Sequence, residues 1–174
     1  MITPWNLRNE ILALAGVPSA FLEAIEHLEK YGDLQFIARK PDAAYFYLPQ
    51  ICDTYSTLQG QTITPIFDGS NGDRFYVHLS GDAGNRFVIF LLENDEIYQD
   101  FGANFQFMLA HLLIEFYEFS ELTVDELAAV SKTLGFCNSR SLFESLEQAT
   151  KSDARKTFEL DAAWRRVNIP RIVG

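Results

Sequence analysis

The sequence is poor in the residues that build metal clusters and disulfide frameworks. It holds two cysteines, Cys52 and Cys137, and three histidines among 174 residues. The spacing of the cysteines matches neither a zinc site nor a disulfide framework, so we expect free thiols, with a single disulfide between them left open. His27, His78 and His111 share no ligand spacing, so each is expected to be a packed or surface histidine.

The sequence also lacks a hydrophobic run long enough for a membrane. No stretch reaches the roughly 18 uncharged residues that a spanning helix needs. The best candidate, 105–119, is interrupted by polar and charged residues that include Glu115 and Glu118. The N-terminus has no positive cluster ahead of an apolar segment. We therefore expect a cytoplasmic protein with no secretory signal and no membrane partner.

Catalytic motifs are missing as well. The sequence has no nucleophile elbow, no cysteine–histidine signature, no phosphate loop and no dinucleotide fingerprint. The loop from Asp68 superficially resembles a calcium loop, but Asp73 stands at the glycine position and Leu79 at the position of the final glutamate. The carboxylates of this loop are expected to bond to neighbouring backbone amides instead. We therefore predict no metal, no cofactor and no enzymatic activity.

Basic residues are scarce, and the charge is unevenly spread. The formal net charge is -10, from 24 acidic and 14 basic side chains; residues 151–174 are net +3 and residues 1–150 are net -13. A surface of that sign repels the phosphate backbone of nucleic acids and favours basic partners. The alternative is that the acidic surface merely keeps the protein soluble.

What the sequence does have is hydrophobic material, with 48% hydrophobic residues and 15 phenylalanines. Periodicity and turn signals predict three strands in an antiparallel meander, with one face closed by a long helix and with a helical C-terminal extension. We expect one domain over 1–174, with the extension at about 120–168. The predicted helices are 7–15, 19–31, 105–118, 124–134, 139–149 and 152–166, the strands are 62–67, 74–80 and 86–92, a further strand is considered at 34–38, and a glycine-bearing turn spans 81–85.

Several details refine these predictions. Ser19, Asn104 and Thr123 are placed to cap helices, Thr123 in a capping box with Glu126. Pro65 predicts an edge position or a bulge within its strand. The run 43–48 is aromatic and apolar, and 51–58 is weakly helical. The strand over 86–92 is expected to be buried on both faces.

One part of the chain resembles a known family. The segment Ile63-Thr64-Pro65-Ile66-Phe67-Asp68-Gly69-Ser70-Asn71-Gly72-Asp73-Arg74-Phe75-Tyr76-Val77-His78-Leu79, the strand around 88–91 and the helix over 105–113 are similar to the SUKH superfamily. Gly72-Asp73 matches the family's turn, and Asn104-Phe105 matches the start of its helix. The resemblance covers about residues 45–118. It implies an α+β fold in which a twisted antiparallel β-sheet (meander) is backed by helices, with a SUKH-like core at about 19–118. It also implies a non-enzymatic role, mostly as bacterial immunity proteins that neutralise secreted polymorphic toxins, often nucleases.

The sequence thus predicts a protein that binds a basic protein, plausibly a toxin domain, through acidic loops that flank the sheet. An alternative is a regulatory or scaffold domain that binds an endogenous partner through the C-terminal helices. A further alternative is a helix-turn-helix DNA-binding protein, since 124–143 resembles such a motif with Arg140 near the start of its second helix. The predicted partner-binding residues are Asp68, Asp73, Asp82, Glu93, Asp95, Glu96 and Asp100.

Overall fold

The chain has an α+β fold built around one antiparallel sheet. The computed structural model describes residues 1–82 and 84–174, so Ala83 of the predicted turn lies outside the described residues. Five strands pair in the order of the chain, each antiparallel to the next. The predicted meander is therefore confirmed. The strands are β1 (Ala38–Arg39), β2 (Thr62–Gly69), β3 (Arg74–Gly81), β4 (Gly84–Leu91) and β5 (Ile97–Asp100).

Helices precede and follow the sheet. They are α1 (Trp5–Leu14), α2 (Ser19–Glu26), a 3₁₀ helix (Leu28–Phe36), α3 (Asp42–Ile51), α4 (Phe105–Phe119), α5 (Val124–Thr133), α6 (Ser139–Lys151) and α7 (Phe158–Val173). Two of the predicted caps are confirmed. The side chain of Asn104 accepts the backbone N–H of Gln106 at 3.0 Å, and Thr123 forms the capping box with Glu126. The Thr157 side chain caps α7, which therefore begins later than predicted.

The chain divides into two compact units, 1–108 and 109–174, and the division falls inside α4. The first unit contains the sheet. The second contains most of α4 and the three helices that follow it. Its core includes Leu142, Phe143 and Leu146 on one face of α6, and the ring of Phe143 lies 6.3 Å from that of Tyr117. The predicted domain bounds stay a prediction.

Helices cover both faces of the sheet within the first unit. On one face, Ala44 and Leu48 of α3 pack into a cluster with Phe75, Val77 and Phe90 of the sheet. On the other face, the ring of Phe105 at the start of α4 lies 5.3 Å from Phe87 of β4 and 5.0 Å from Phe21 of α2. Residues 87–90 are buried without exception, which confirms that β4 is covered on both sides.

Predictions from local sequence patterns failed where a contact between distant residues determines the structure. The strand considered at 34–38 is wrong over most of its length, because 3₁₀ helix runs to Phe36 and only Ala38–Arg39 pair with β2. The run 43–48 lies in α3, which tolerates Pro49 in its last turn. Ser19 is the first residue of α2 rather than its cap, and the preceding Pro18 offers no side-chain acceptor.

The first helix buries an arginine and exposes two leucines. Leu7 and Leu14 are exposed, whereas Arg8 is 1% exposed. The reason lies in β2, whose register shifts between Pro65 and Phe67, as the proline predicts. The guanidinium of Arg8 donates to the backbone oxygen of Pro65 at 2.8 Å and to that of Ile66. A polar group at this position therefore satisfies carbonyls beside the bulge.

Candidate functional site: the acidic end of the sheet

The meander gathers two acidic loops at one end of the sheet. β2 and β4 finish at this end, and β3 and β5 begin there, so the β2–β3 and β4–β5 loops are neighbours. The backbone N–H of Leu92 donates to the backbone oxygen of Asp73 at 3.0 Å, which ties the two loops together. We call the four predicted site residues of these loops the acidic end: Asp73, Glu93, Asp95 and Glu96.

The carboxylates of the acidic end differ in their exposure. Glu93, Asp95 and Glu96 are exposed, and Asp73 is half-buried. Within the described residues, Oδ1 of Asp73 is buried and has no hydrogen-bond partner. Glu93, Asp95 and Glu96 of the β4–β5 loop are therefore more accessible from solvent than Asp73 is.

Asp95 holds the β4–β5 loop in place. Its carboxylate accepts hydrogen bonds from the backbone N–H of Ser56 at 2.6 Å and from that of Thr57 at 3.1 Å. It also accepts from the Ser56 hydroxyl at 2.7 Å and from the Thr57 hydroxyl at 2.6 Å. These bonds, led by the one from Thr57, lower the pKa of Asp95 below its ordinary value. Asp95 therefore stays ionised and fixes the shape of the acidic end.

Two of the predicted site residues lie elsewhere. Asp82 is in the turn between β3 and β4, at the opposite end of the sheet. An eight-residue strand separates it from the acidic end, which is about 25 Å at 3.3 Å per residue. Asp100 ends the edge strand β5, where it pairs with Arg86 at 3.2 Å and accepts the N–H of Gly102 at 2.8 Å. The seven residues therefore do not share one surface.

Asp68 is not a surface residue, so its prediction as a partner-binding residue is corrected. It is 2% exposed, and its carboxylate accepts the backbone N–H of Ala43 at 2.8 Å and that of Ala44 at 3.3 Å. These are orphan amides in the first turn of α3, whose preceding residue, Pro41, provides no side-chain cap. Burial dominates the electrostatics and raises the pKa of Asp68 to about 7, against the lowering effect of the two amides.

Comparison with known proteins gives a single result. The chain matches no protein-family model, no curated protein and no solved structure.

The structure also shows the surroundings of the cysteines and of His78, and it bears on metal binding and membrane spanning. Cys52 is buried and Cys137 is exposed, and the two do not form a disulfide with each other. Among the residues that the structure describes, no group of three or more histidine, cysteine and acidic side chains is arranged to hold a metal ion. None of the described helices combines the length and apolar character that crossing a membrane requires. His78 is 3% exposed beside Phe87, and burial lowers its pKa.

The possible helix-turn-helix is formed by α5 and α6, but Arg140, the basic residue near the start of its second helix, is engaged in ion pairs. Arg140 pairs with Asp125 at 3.0 Å and with Glu144 at 2.8 Å. These partners raise the pKa of Arg140, and the hydrogen bond that Arg140 donates to Glu144 contributes most. Glu144 and Glu147 stand on the same helix. This surface offers carboxylates where a DNA-binding helix needs cations for the phosphates.

The second unit contains a cleft of about 780 Å³. It is lined by the end of α4, the α4–α5 connection, the end of α6 and the start of α7. At its edge, Arg155 binds Glu118 and Asp161 and lies 5.2 Å over the ring of Trp164. Phe158 is 81% exposed beside it. Local sequence patterns contain no signal for this cleft, because its walls come from four separate segments.

Sequence reasoning also missed two exposed aromatic residues near the acidic end. Phe46 and Tyr47 stand on α3, 64% and 39% exposed. The aromatic run of 43–48 was visible, but its outward face could be recognised only once the segment was known to be helical. In a helix, Asp42, Phe46 and Gln50 share one side at a spacing of four residues.

Proposed function

We propose that this protein is a non-enzymatic immunity protein of the SUKH type, which neutralises a basic toxin domain in the cytoplasm by binding it through the acidic end. One observation carries the proposal. Four carboxylates of two loops are held together at one end of the sheet, and Asp95 fixes the β4–β5 loop through four hydrogen bonds. A surface that is already ordered loses little conformational entropy on binding.

Charge supports a basic partner. Residues 1–108 hold 14 acidic and 6 basic side chains, a net charge of -8, whereas residues 109–174 hold 10 and 8, a net charge of -2. The negative field is therefore concentrated in the unit that bears the acidic end. Such a field speeds encounter with a cationic protein. For a nuclease toxin, carboxylates can also occupy the place of the substrate phosphates.

The segment that carries the resemblance adds support from its local structure. β2 leads into a turn in which Gly72 has a φ of +71°, a conformation that glycine adopts without strain. Asn104 then caps α4 directly before Phe105. The strand, turn and capped helix on which the resemblance rests are thus formed by the residues that suggested it.

Charge reversal with a matched control tests the proposal. The test variant carries Asp73→Lys, Glu93→Lys and Glu96→Lys, and leaves Asp95 in place because it holds the loop. The control carries Glu10→Lys, Glu23→Lys and Glu29→Lys, which are exposed residues outside the acidic end with the same change in net charge. The probe is a basic toxin domain encoded by a gene next to that of this protein, where one is found, and the measurement is its association rate at low salt.

The acidic end should account for most of the electrostatic attraction. We expect the test variant to associate about tenfold more slowly than the wild type and the control variant to change far less, since local fields steer encounter. Equal rates for the two variants would assign the attraction to overall charge and remove the acidic end from the proposal. Absence of any complex with the toxin domain would reject the immunity function itself.

A second candidate function is regulatory binding of an endogenous protein through the C-terminal helices, and the cleft of the second unit favours it. An exposed phenylalanine at a cleft is a common anchor for a protein partner. Phe158→Ala distinguishes the two functions. It should abolish binding of an endogenous partner in a co-purification experiment, whereas toxin binding at the acidic end should be unchanged.

A further inference from the structure

We propose that Phe46 and Tyr47 of α3 form a docking surface for arginine side chains of the basic partner. This inference rests on the proposed function, since it places the contact with the same partner beside the acidic end. The surface selects arginine, and its two aromatic residues act in addition to the carboxylates of the acidic end.

The course of α3 brings its aromatic residues to the acidic end. The helix begins where Asp68 closes its first turn, at the end of β2. The ring of Tyr47 stacks on Phe75 at the beginning of β3, with centroids 6.5 Å apart. Beyond the helix, the hydroxyl of Tyr55 donates to the backbone oxygen of Leu92 at the end of β4, at 3.1 Å. The segment 42–57 therefore crosses this end of the sheet, from β2 to the β4–β5 loop.

The two rings are exposed and yet held in position. Phe46 meets Tyr47 edge to face, with centroids 4.9 Å apart and an interplanar angle of 87°. Tyr47 in turn lies nearly parallel to Phe75, at 26°. Phe75 is fully buried in the core. The chain of contacts anchors the rings to the sheet, so a partner meets a rigid aromatic surface. Rigid aromatic residues are the commonest anchors of protein interfaces.

Carboxylates around the rings select a cation as the occupant. Asp42 is exposed one turn before Phe46 on the same side of α3, and Asp53 is exposed just beyond the end of the helix. The acidic end adds Glu93 and Glu96 across the sheet end. An aromatic face next to carboxylates suits a guanidinium, which stacks on the ring and binds a carboxylate through two N–H groups at once.

Arginine fits this surface better than lysine or an apolar side chain does. The ammonium of lysine is compact and strongly hydrated, and it lacks the planar face that stacks on a ring. The chain already shows the arrangement internally, where the guanidinium of Arg74 lies 5.6 Å over the ring of Tyr98. A second copy of the chain is disfavoured as the occupant, because two units of net charge -8 repel each other.

The test measures binding of a nona-arginine peptide and a nona-lysine peptide to the full chain by calorimetry. We expect the wild type to prefer the arginine peptide. The variant with Phe46→Ala should bind it about five- to tenfold more weakly and lose the preference over lysine, in keeping with the strength of a cation–π contact. This single substitution leaves Tyr47 on Phe75, so the fold is kept. Tyr47→Ala combined with Phe46→Ala should deepen the loss.

A matched control and one further measurement complete the test. Phe119→Ala removes an equally exposed phenylalanine of the second unit, 70% exposed, and should change neither affinity. Unchanged arginine binding in the Phe46→Ala variant would overturn the docking surface. If the acidic-end variant still weakened binding, the proposed function would survive that result. A wild-type dimer in sedimentation that Phe46→Ala dissociates would also overturn the inference, because the occupant would then be a second copy.

Discussion

Asp68 illustrates how a buried carboxylate can serve structure at a measurable energetic cost. It closes the first turn of α3 from a distant strand, and burial raises its pKa to about 7 from an ordinary value of 3.8. The folded protein therefore holds this proton over a range where the unfolded chain has released it. By linkage, the contribution of Asp68 to stability is complete below about pH 4 and is lost as the pH rises through 7.

Asp68→Asn should remove this pH dependence. Relative to the variant, the wild type should lose up to about 4 kcal/mol of unfolding free energy between pH 4 and pH 7, at 1.36 kcal/mol for each unit of pKa difference. Urea denaturation across this range measures both proteins. The asparagine keeps only one acceptor oxygen, so the two slopes are compared and not the absolute stabilities. Parallel slopes would show that Asp68 does not titrate in this range.

Asp95 represents the opposite case, an exposed carboxylate whose pKa is lowered. Asp95→Ala should speed hydrogen exchange at the backbone amides of Ser56 and Thr57, because both donate to this carboxylate. In the wild type the protection should be present above the ordinary pKa and should fade as the pH drops below about 4. Glu93→Ala is the control, since it removes an exposed charge from the same loop. Similar exchange in both variants would contradict the role assigned to Asp95.

At the scale of elements, the bulge of β2 and the helix α1 depend on each other. The bulge turns the backbone oxygens of Pro65 and Ile66 toward α1, and Arg8 supplies the donors that satisfy them. Burial lowers the pKa of Arg8, partly offset by Tyr45 and by Glu26, which lies 3.6 Å away. A buried guanidinium is tolerated here because two backbone acceptors and a carboxylate surround it.

Arg8→Met should uncouple the two elements. It keeps most of the side-chain volume but leaves two carbonyls without a donor, so the free energy of unfolding should fall by about 3 kcal/mol. Arg166→Met, at an exposed arginine of α7, is the control and should change stability little. The urea midpoint followed by circular dichroism checks both. An Arg8→Met protein as stable as the control would show that the bulge needs no donor.

The sequence predictions succeeded where local contacts determine the structure and failed where contacts between distant residues determine it. The strands β2, β3 and β4 and the helix α4 were predictable, because alternation, turn glycines and the Asn104 cap are all local signals. Residues 42–51 were not recognised as a helix, because the cap of α3 comes from Asp68 in another strand. The short strands β1 and β5 were missed for a similar reason, since pairing with a neighbouring strand defines them.

The candidate site was predictable only in part, because contacts between distant parts of the chain place some of its residues. The loops that carry Asp73, Glu93, Asp95 and Glu96 follow from the meander, whose connectivity the turns disclose. Charge alone could not separate these residues from Asp68, because acidity does not show whether a carboxylate faces solvent or a helix terminus. Phe46 and Tyr47 required the placement of α3 on the sheet.

At the scale of the whole molecule, the two units differ in their net charge. The unit of residues 1–108 carries most of the net charge and surrounds its sheet with helices on both faces. The unit of residues 109–174 is almost balanced in charge, and its ion pairs include Arg155 with Asp161 and Arg165 with Asp161. Under the proposed function, electrostatic steering of a basic protein is therefore assigned to the first unit.

The distant cap of α3 determines when Phe46 and Tyr47 can reach their final arrangement. A helix of ten residues is marginal in water by itself, and its first amides are satisfied only when Asp68, about 25 positions later, has taken its place. During synthesis, α3 must therefore wait until β2 has left the ribosome. A nascent or partly folded chain does not display the two rings in their final arrangement, so the proposed docking surface exists only in the folded protein.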